Sequence, residues 1–275
     1  MSVSENDLQA AVMAHIRRSE RRQTSAAVTT AVCRGHGVTP KRVRSSIRSL
    51  LNAQRLIYSY EMGCSFLLEN THRCWRPTAN IWILPPECSP PTPPDPKAIV
   101  VQLETGAAFG SGDHPTTLLC LRALDHLYRK NPHQSCLKGS GIDIGTGSGI
   151  LALVAAKMGS RSILALDTDP CAREESRSNV SLNHLAHCVR VEDSPFGEIV
   201  DSFSLILANL RFPTLLKMLP WAKEHLLSEG RMVISGYLVA EMDRLKAQFE
   251  AADLHMCWCA THKRWAAGMF GLNPP

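Results

Sequence analysis

One run constrains the chain more than any other: Gly141-Ile-Asp-Ile-Gly-Thr-Gly-Ser-Gly-Ile-Leu151. Gly145, Gly147 and Gly149 follow a short apolar stretch and lead directly into the apolar segment 150–156. Glycine tolerates the tight, left-handed turn needed between a strand and a helix, and it lets backbone approach a ligand closely. The flanking pattern repeats this alternation. Strands are expected at Ile99–Leu103, Gly141–Ile144, Ser162–Leu166, Val189–Val191, Phe203–Ala208, Arg231–Ser235, Leu254–Cys259 and Trp265–Met269. Helices are expected at Thr116–Tyr128, Gly149–Met158, Pro170–Asn183, Thr214–Leu227 and Val239–Ala251. Such alternation predicts an α/β domain with a doubly wound, mostly parallel, seven-stranded Rossmann-like sheet. Ligands of such sheets bind beyond the carboxyl ends of the strands, where the strand order reverses.

The chemistry of the loop narrows the ligand. A dinucleotide fingerprint GxGxxG would require glycine at position 150, which is Ile150. Asp143 stands two residues before the first glycine, where it repels a pyrophosphate and favours a cation. S-adenosylmethionine carries a sulfonium and an ammonium and no phosphate, so it fits where NAD does not. Asp167, at the end of the next strand, is placed to accept hydrogen bonds from two ribose hydroxyls. Asp169, ahead of Pro170, reads as a helix N-cap. Glu192-Asp193 offers a carboxylate for the adenine amino group, or else an exposed acidic turn; Asp193 is taken as the contact.

Upstream lies a block of different character. Leu8, Val12 and Ile16 recur at helical spacing behind Ser4 and Asp7, a capping-box pattern. Thr24 caps a second short helix that ends near Gly35 and Gly37, and Thr39-Pro40 opens a third. Leu56–Tyr60 and Cys64–Leu68 then read as a hairpin around Met62-Gly63. Three small helices and a hairpin resemble a winged helix-turn-helix domain. Pro85 to Pro96 contains seven of the 17 prolines and should be extended and semi-rigid. The expected organisation is therefore residues 1–70 as a winged-helix-like accessory domain, 71–97 as a proline-rich linker and 98–275 as the ligand-binding domain.

The charge of +5 divides along the same line. Residues 1–80 carry 12 Lys/Arg against 5 Asp/Glu, and residues 81–275 carry 18 against 20. The cluster on the third helix (Lys41, Arg42, Arg44, Arg48), with Arg17, Arg18, Arg21 and Arg22, has two readings. It offers phosphate contacts to nucleic acid, or it is the solvated face of a protein-binding module.

The ten cysteines include no CxxC pair, and the N-terminus has no basic start followed by an apolar stretch. Reduced thiols in a cytoplasmic protein are expected. Cys257 and Cys259, alternating on a strand, should share one face; packing explains them without a metal, because no second ligand pair accompanies them. No apolar run approaches the length of a membrane span.

Several motifs together carry a family resemblance. Gly106-Ala-Ala-Phe-Gly-Ser-Gly-Asp-His-Pro-Thr-Thr117, Gly141 to Leu151, Asp167-Thr-Asp-Pro170, Leu205-Ile-Leu-Ala-Asn209-Leu and Ile234-Ser-Gly236 occur in order. Residues 99–270 resemble the ribosomal protein L11 methyltransferase family, whose relatives include enzymes that methylate lysines of an electron transfer flavoprotein subunit. The glycine loop is generic to class I methyltransferases; the Ala-Phe-Gly-x-Gly-x-His-Pro-Thr-Thr segment is specific to the family. The resemblance implies that Thr117, Gly145, Asp167 and Asn209 hold S-adenosylmethionine; the chemistry of the loop and strand ends adds Asp143, Gly147, Gly149 and Asp193 to the expected cofactor site. Asp113 stands where the family usually has threonine, and the N-terminal block differs from the family's usual substrate-presenting domain.

The implied activity is S-adenosylmethionine-dependent N-methylation of lysine or terminal amino groups of a protein. Asn209 can orient an incoming amine or hold the methionine end of the cofactor; its alternative is a strand-end cap. His114 can relay a proton from an ammonium, or be a structural loop histidine. Phe109 and Phe212 either wall the cofactor or acceptor channel or simply pack. Two other functions stay open at this level: a DNA-binding regulator that senses the cofactor, and a nucleic-acid methyltransferase. The latter is weakened because Asn209-Leu-Arg-Phe differs from the Asn-Pro-Pro-aromatic motif of base N-methyltransferases.

Overall fold

The computed structural model describes residues 3–19, 21–53, 55–61, 63–70, 74–86, 88–89, 95–104, 114–130 and 135–273. The chain divides into two compact units, Met1–Arg73 and Cys74–Pro275. The segment 106–113, with Phe109 and Asp113, most of the proline run (residues 87 and 90–94) and Met62 of the hairpin turn lie outside the described residues.

The first unit contains α1 (Glu5–Arg18), β1 (Gln23–Thr24), α2 (Ser25–His36), α3 (Pro40–Asn52), β2 (Leu56–Glu61) and β3 (Cys64–Glu69). Its helices start as local chemistry dictates. Ser4 Oγ accepts from the Asp7 backbone N–H at 3.2 Å, and Thr24 Oγ1 accepts from Ala27 at 3.2 Å. Gly37, in the left-handed conformation, ends α2. Leu8, Val12, Val28, Val43, Ile47, Leu50, Leu56 and Leu67 form the core between the helices and the antiparallel sheet β1-β3-β2. The two-residue β1 was not among the expected elements; nothing but its pairing with Phe66 and Leu67 defines it.

The second unit begins with β4 (Ile81–Leu84) and β5 (Ile99–Gln102), paired in parallel in a small sheet of their own. Two expectations change here. Ile81–Leu84 falls inside the stretch read as linker, yet all four residues are buried, because a continuous apolar run beside the prolines finds a strand partner. Residues 99–102, expected in the main sheet, pair with β4 instead.

The remaining elements are α4 (Pro115–Lys130), α5 (Ser135–Lys138), β6 (Ser140–Ile144), α6 (Ile150–Lys157), β7 (Ser162–Leu166), α7 (Pro170–Leu182) and β8 (Val189–Glu192). They continue through β9 (Phe203–Asn209), α8 (Phe212–His225), β10 (Leu226–Leu238), α9 (Met242–Glu250), β11 (His255–His262) and β12 (Trp265–Gly271). Among the described residues, seven strands form the main sheet in the order β11-β12-β10-β9-β6-β7-β8. The five strands β8, β7, β6, β9 and β10 run parallel; β12 pairs antiparallel with β10, and the edge strand β11 pairs antiparallel with β12. The chain thus winds outward from β6 to β8, then returns to β9 on the other side of β6. That reversal opens a crevice beyond the ends of β6 and β9.

Two cores cover the sheet. α6 is buried all round, from Ile150 to Ala156, because β5, α4 and the sheet enclose it. Phe212, Leu215, Met218, Phe249 and Phe270 fill the other face. Asn179 of α7 and its C-cap Asn183 bind β5 and its exit. Asn183 takes the Gln102 N–H at 2.9 Å and donates to its carbonyl. Asn179, fully buried, accepts from Glu104 N–H at 2.8 Å and donates to Glu104 O (3.1 Å) and to Ser148 O in the glycine loop (3.0 Å).

On β11, a bulge between Met256 and Trp258 breaks the alternation expected to bring Cys257 and Cys259 to one face. Cys257 is half-buried and bonds Met269 O, whereas Cys259 is exposed. All ten cysteines are free thiols, and no group of three or more potential metal ligands occurs among the described residues. No helix among them is long and apolar enough to cross a membrane.

Replacing Asn179 by Ala removes the partner of the Glu104 N–H and carbonyl and of the buried Ser148 carbonyl. We expect a loss on the order of 1–3 kcal/mol in urea unfolding, with the larger value if no water enters. An unchanged midpoint would contradict the role given to this side chain.

Candidate functional site

β6 ends at Ile144, and the chain must turn at once into α6. Gly145, Gly147 and Gly149 all adopt positive φ there. At Gly149, the N-cap of α6, a Cβ would stand 2.7 Å from Ser176 Oγ, so side chains are excluded on both conformational and steric grounds.

Asp143 braces this turn from inside. Its Oδ2 accepts from the Thr146 hydroxyl at 2.7 Å and from the Ala152 N–H at 3.2 Å, joining strand, loop and helix. Burial pushes its carboxyl up to about 7, against the hydrogen bonds from Thr146 and Ala152 that lower it; the Asp167 carboxylate adds to the rise. Asp143 therefore supports the loop and does not line the cavity in front of it.

That cavity, about 710 Å³, opens at the carboxyl ends of β6, β7 and β9. Of the residues singled out in the sequence, Gly145, Gly147, Asp167, His114 and Asn209 line it. Asp167 Oδ2 accepts from Gly147 N–H at 2.9 Å and Oδ1 from Asp169 N–H at 3.0 Å, so its carboxylate is oriented before any ligand arrives. Asp169 caps α7 through the Cys171 N–H, as expected. Asn209, the last residue of β9, donates to Thr117 Oγ1 at 3.4 Å. Its Oδ1 is buried and has no hydrogen-bond partner among the described residues. A buried amide oxygen without a partner is costly unless a ligand supplies a donor.

The other singled-out residues sit elsewhere. Thr117 is buried behind Asn209 and acts through it. Asp193, three-quarters exposed, reaches Arg173 at 3.6 Å and does not line the cavity; Ser194, Pro195 and Phe196 occupy the expected adenine side. Phe212 packs in the core beneath Arg244 and walls nothing. Gly149 holds the turn without reaching the cavity wall.

Sequence reasoning missed Trp265, which lines the cavity from the start of β12. Its indole meets His114 edge-on, ring centroids 5.4 Å apart, while Arg264 covers it at 5.4 Å. His114 Nδ1 in turn shares a 2.7 Å contact with Thr116 Oγ1. The contact joins residues about 150 positions apart on different elements, so no local pattern announces it. Gly236 was visible as part of a motif but without a role. At φ +94°, a Cβ there would meet the Leu210 carbonyl oxygen at 2.2 Å, so glycine lets β10 press against the residue after Asn209.

The lining is mostly apolar, its charged acceptors are the carboxylates of Asp167 and Asp169, and its one guanidinium among the described residues, that of Arg211, is on an exposed residue. The site suits a ligand that brings hydroxyl and ammonium donors and positive charge, not one that brings phosphates.

Comparison with known proteins agrees with this chemistry. Residues 68–270 match the model of the family described as ribosomal protein L11 methyltransferase (PrmA). A ribosomal protein L11 methyltransferase of Pelobacter propionicus is 35% identical over 178 residues, 65% of this chain and 57% of that protein. One from Janthinobacterium is 34% identical over 198 residues, 71% of this chain and 60% of that protein. The chain thus spans under two thirds of the length of these relatives. A crystal structure of the ribosomal protein L11 methylase of Lactobacillus delbrueckii subsp. bulgaricus shares the fold. Its TM-score is 0.62 at 23% identity, covering 72% of this chain and 97% of that one. The family match begins at residue 68 and gives no support to the winged-helix reading of the first unit.

Two outcomes test this geometry. Between the ordinary carboxylate range and about pH 7, folded Asp143 holds a proton that the unfolded chain has released, so its contribution to stability declines as pH rises through that window. Asp143→Asn lacks this titration. The difference in Tm should therefore shift in favour of the variant between about pH 5 and 8, whereas a pH-independent difference would refute it. Gly236→Ala should cost about 2 kcal/mol or more in chemical unfolding, from backbone strain and the clash with Leu210.

The family model covers most of the chain, and the chain belongs to the ribosomal protein L11 methyltransferase family.

Proposed function

We propose that the chain is an S-adenosylmethionine-dependent N-methyltransferase that modifies amino groups of a protein, on lysine side chains or at a terminus. The observation that carries this reading is the buried, unpartnered Oδ1 of Asn209, a residue that lines the same cavity as the Asp167 carboxylate. Membership of a methyltransferase family implies use of S-adenosylmethionine in general, and the residues present fit it. Asp167 offers its remaining lone pairs to two ribose hydroxyls, and Gly145 and Gly147 leave room for close approach of the backbone. Ala172, Pro195 and Phe196 give an apolar wall suited to adenine. When bound, the cofactor supplies an electrophilic methyl group on sulfonium.

The protein's own contribution is positioning and exclusion of water, because displacement at a methyl group needs little acid–base help once the amine is neutral. Asn209 Oδ1 accepts an N–H, from the acceptor amine or from the ammonium of the methionine end. Thr117 takes up the Nδ2 side of the amide, which leaves Oδ1 as its free acceptor. His114, held by Thr116 and Trp265, lies at the same wall and accepts the proton that the incoming ammonium must lose. The relatives' names make ribosomal protein L11 the first substrate to try, and they do not favour a DNA-binding regulator or a nucleic-acid methyltransferase.

Incubation of the protein with methyl-labelled S-adenosylmethionine and cell lysate should label a protein band, with mass spectrometry locating the methyl group on an amine. Label found only in RNA or in small molecules would sink the reading. Asp167→Ala should weaken S-adenosylmethionine binding by about tenfold to a hundredfold in calorimetry, through loss of charged hydrogen bonds. Asn209→Ala should lower kcat even at saturating cofactor.

A further inference from the structure

The first unit carries a feature that methyl transfer does not use. From Arg21 to Tyr60 the sequence contains eight Lys/Arg and no Asp or Glu. The whole unit, Met1–Arg73, holds 11 basic residues against 5 acidic, while Cys74–Pro275 holds 19 against 20. We propose that the outer face of α3 is a docking surface for double-stranded DNA, held through its phosphate backbone.

The helix is strongly two-sided. Val43, Ser46, Ile47 and Leu50 are buried against α1 and α2, which leaves Lys41, Arg44, Arg48 and Asn52 in line on the opposite face, one turn apart. Lys41, Arg44 and Arg48 are exposed and make no ion pair with any described residue. Arg17 pairs with Glu69, Arg42 donates to the Val3 carbonyl, and Arg44 Nε donates to the Pro40 carbonyl of its own helix at 3.3 Å without meeting an opposite charge. Three unneutralised cations at helical spacing repel one another and lower the stability of an isolated unit, so they are explained by an external polyanion.

The choice of polyanion follows from shape. Between the cations stand Ser45, Ser49 and Asn52, all exposed, with donors and acceptors available for groove edges or phosphates. A protruding α-helix enters the wide major groove of B-form DNA, whereas the deep, narrow major groove of A-form RNA excludes it. An acidic peptide would match the charge but has no use for this polar lining. The hairpin adds a second contact. Tyr58 and Tyr60 are 51% and 73% exposed, on the sheet face that packs on the helices at Leu56 and Leu67. Large aromatic rings left in water, each with a hydroxyl donor, suit sugar–phosphate contact.

The full chain should be titrated by fluorescence anisotropy into a mixed-sequence 20-base-pair DNA duplex, the same sequence as RNA duplex, and polyglutamate, from about 50 to 200 mM salt. DNA should bind most tightly, with affinity falling steeply with salt. The triple variant Lys41→Gln, Arg44→Gln, Arg48→Gln should lose at least about tenfold in affinity, and the slope of log affinity against log salt should shrink by about 2 to 3. Arg44→Gln alone should shrink it by about 1, which keeps the test usable if the triple variant unfolds. Absence of DNA binding at low salt, equal or tighter binding of RNA or polyglutamate, or an unchanged slope in the variants would each overturn the proposal.

Discussion

A single buried carboxylate organises the centre of the second unit. Asp143 takes hydrogen bonds from the hydroxyl of the glycine loop and from the first turn of α6, so the strand, the turn and the helix share one anchor. A charged group inside the protein is expensive, and its raised pKa records that cost. The chain accepts it because the loop has few other means of fixing itself, its glycines having no side chains to pack. What looks in the sequence like a counter-charge for the ligand proves to be a structural brace one layer behind it. The surface that faces the ligand is then set by backbone and by Asp167, whose oxygens are already held by Gly147 and Asp169.

The parts legible in the sequence are those written in contiguous residues. The alternation of strands and helices, the glycine turn, the Asp169 cap and the strand-end position of Asp167 and Asn209 all follow from local patterns. Failures occur where a distant partner decides. Ile81–Leu84 becomes a strand only because Ile99–Gln102 lies beside it. Thr117 and Thr116 are adjacent and chemically identical, yet helical geometry turns one towards Asn209 and the other towards His114 and the cavity. Asp193 is the first residue past the end of the register between β7 and β8, where its side chain goes to solvent and Ser194 lines the cavity instead. Trp265 was invisible for the same reason: its relevance depends on β12 lying antiparallel beside β10.

Charge follows the division into units more closely than it follows the chemistry. The unit that carries the cavity is nearly balanced, and its acceptors are aimed inward. The unit outside most of the family match concentrates its cations on one exposed helix. Overall charge alone would have blurred these two designs into a mild average. The distinction matters for reading activity: salt should act first on the basic unit, since exposed charges are screened and buried ones are not.

Asn179 has a wider consequence than its hydrogen bonds suggest. By holding Ser148 of the glycine turn and Glu104 beyond β5 in the same grip, it makes two stretches 44 residues apart in sequence a single mechanical body. To part them, the chain must break hydrogen bonds of a fully buried amide and leave its polar atoms unmet. The glycine turn and the end of β5 are thus held in register by one side chain, although no backbone pairing joins them.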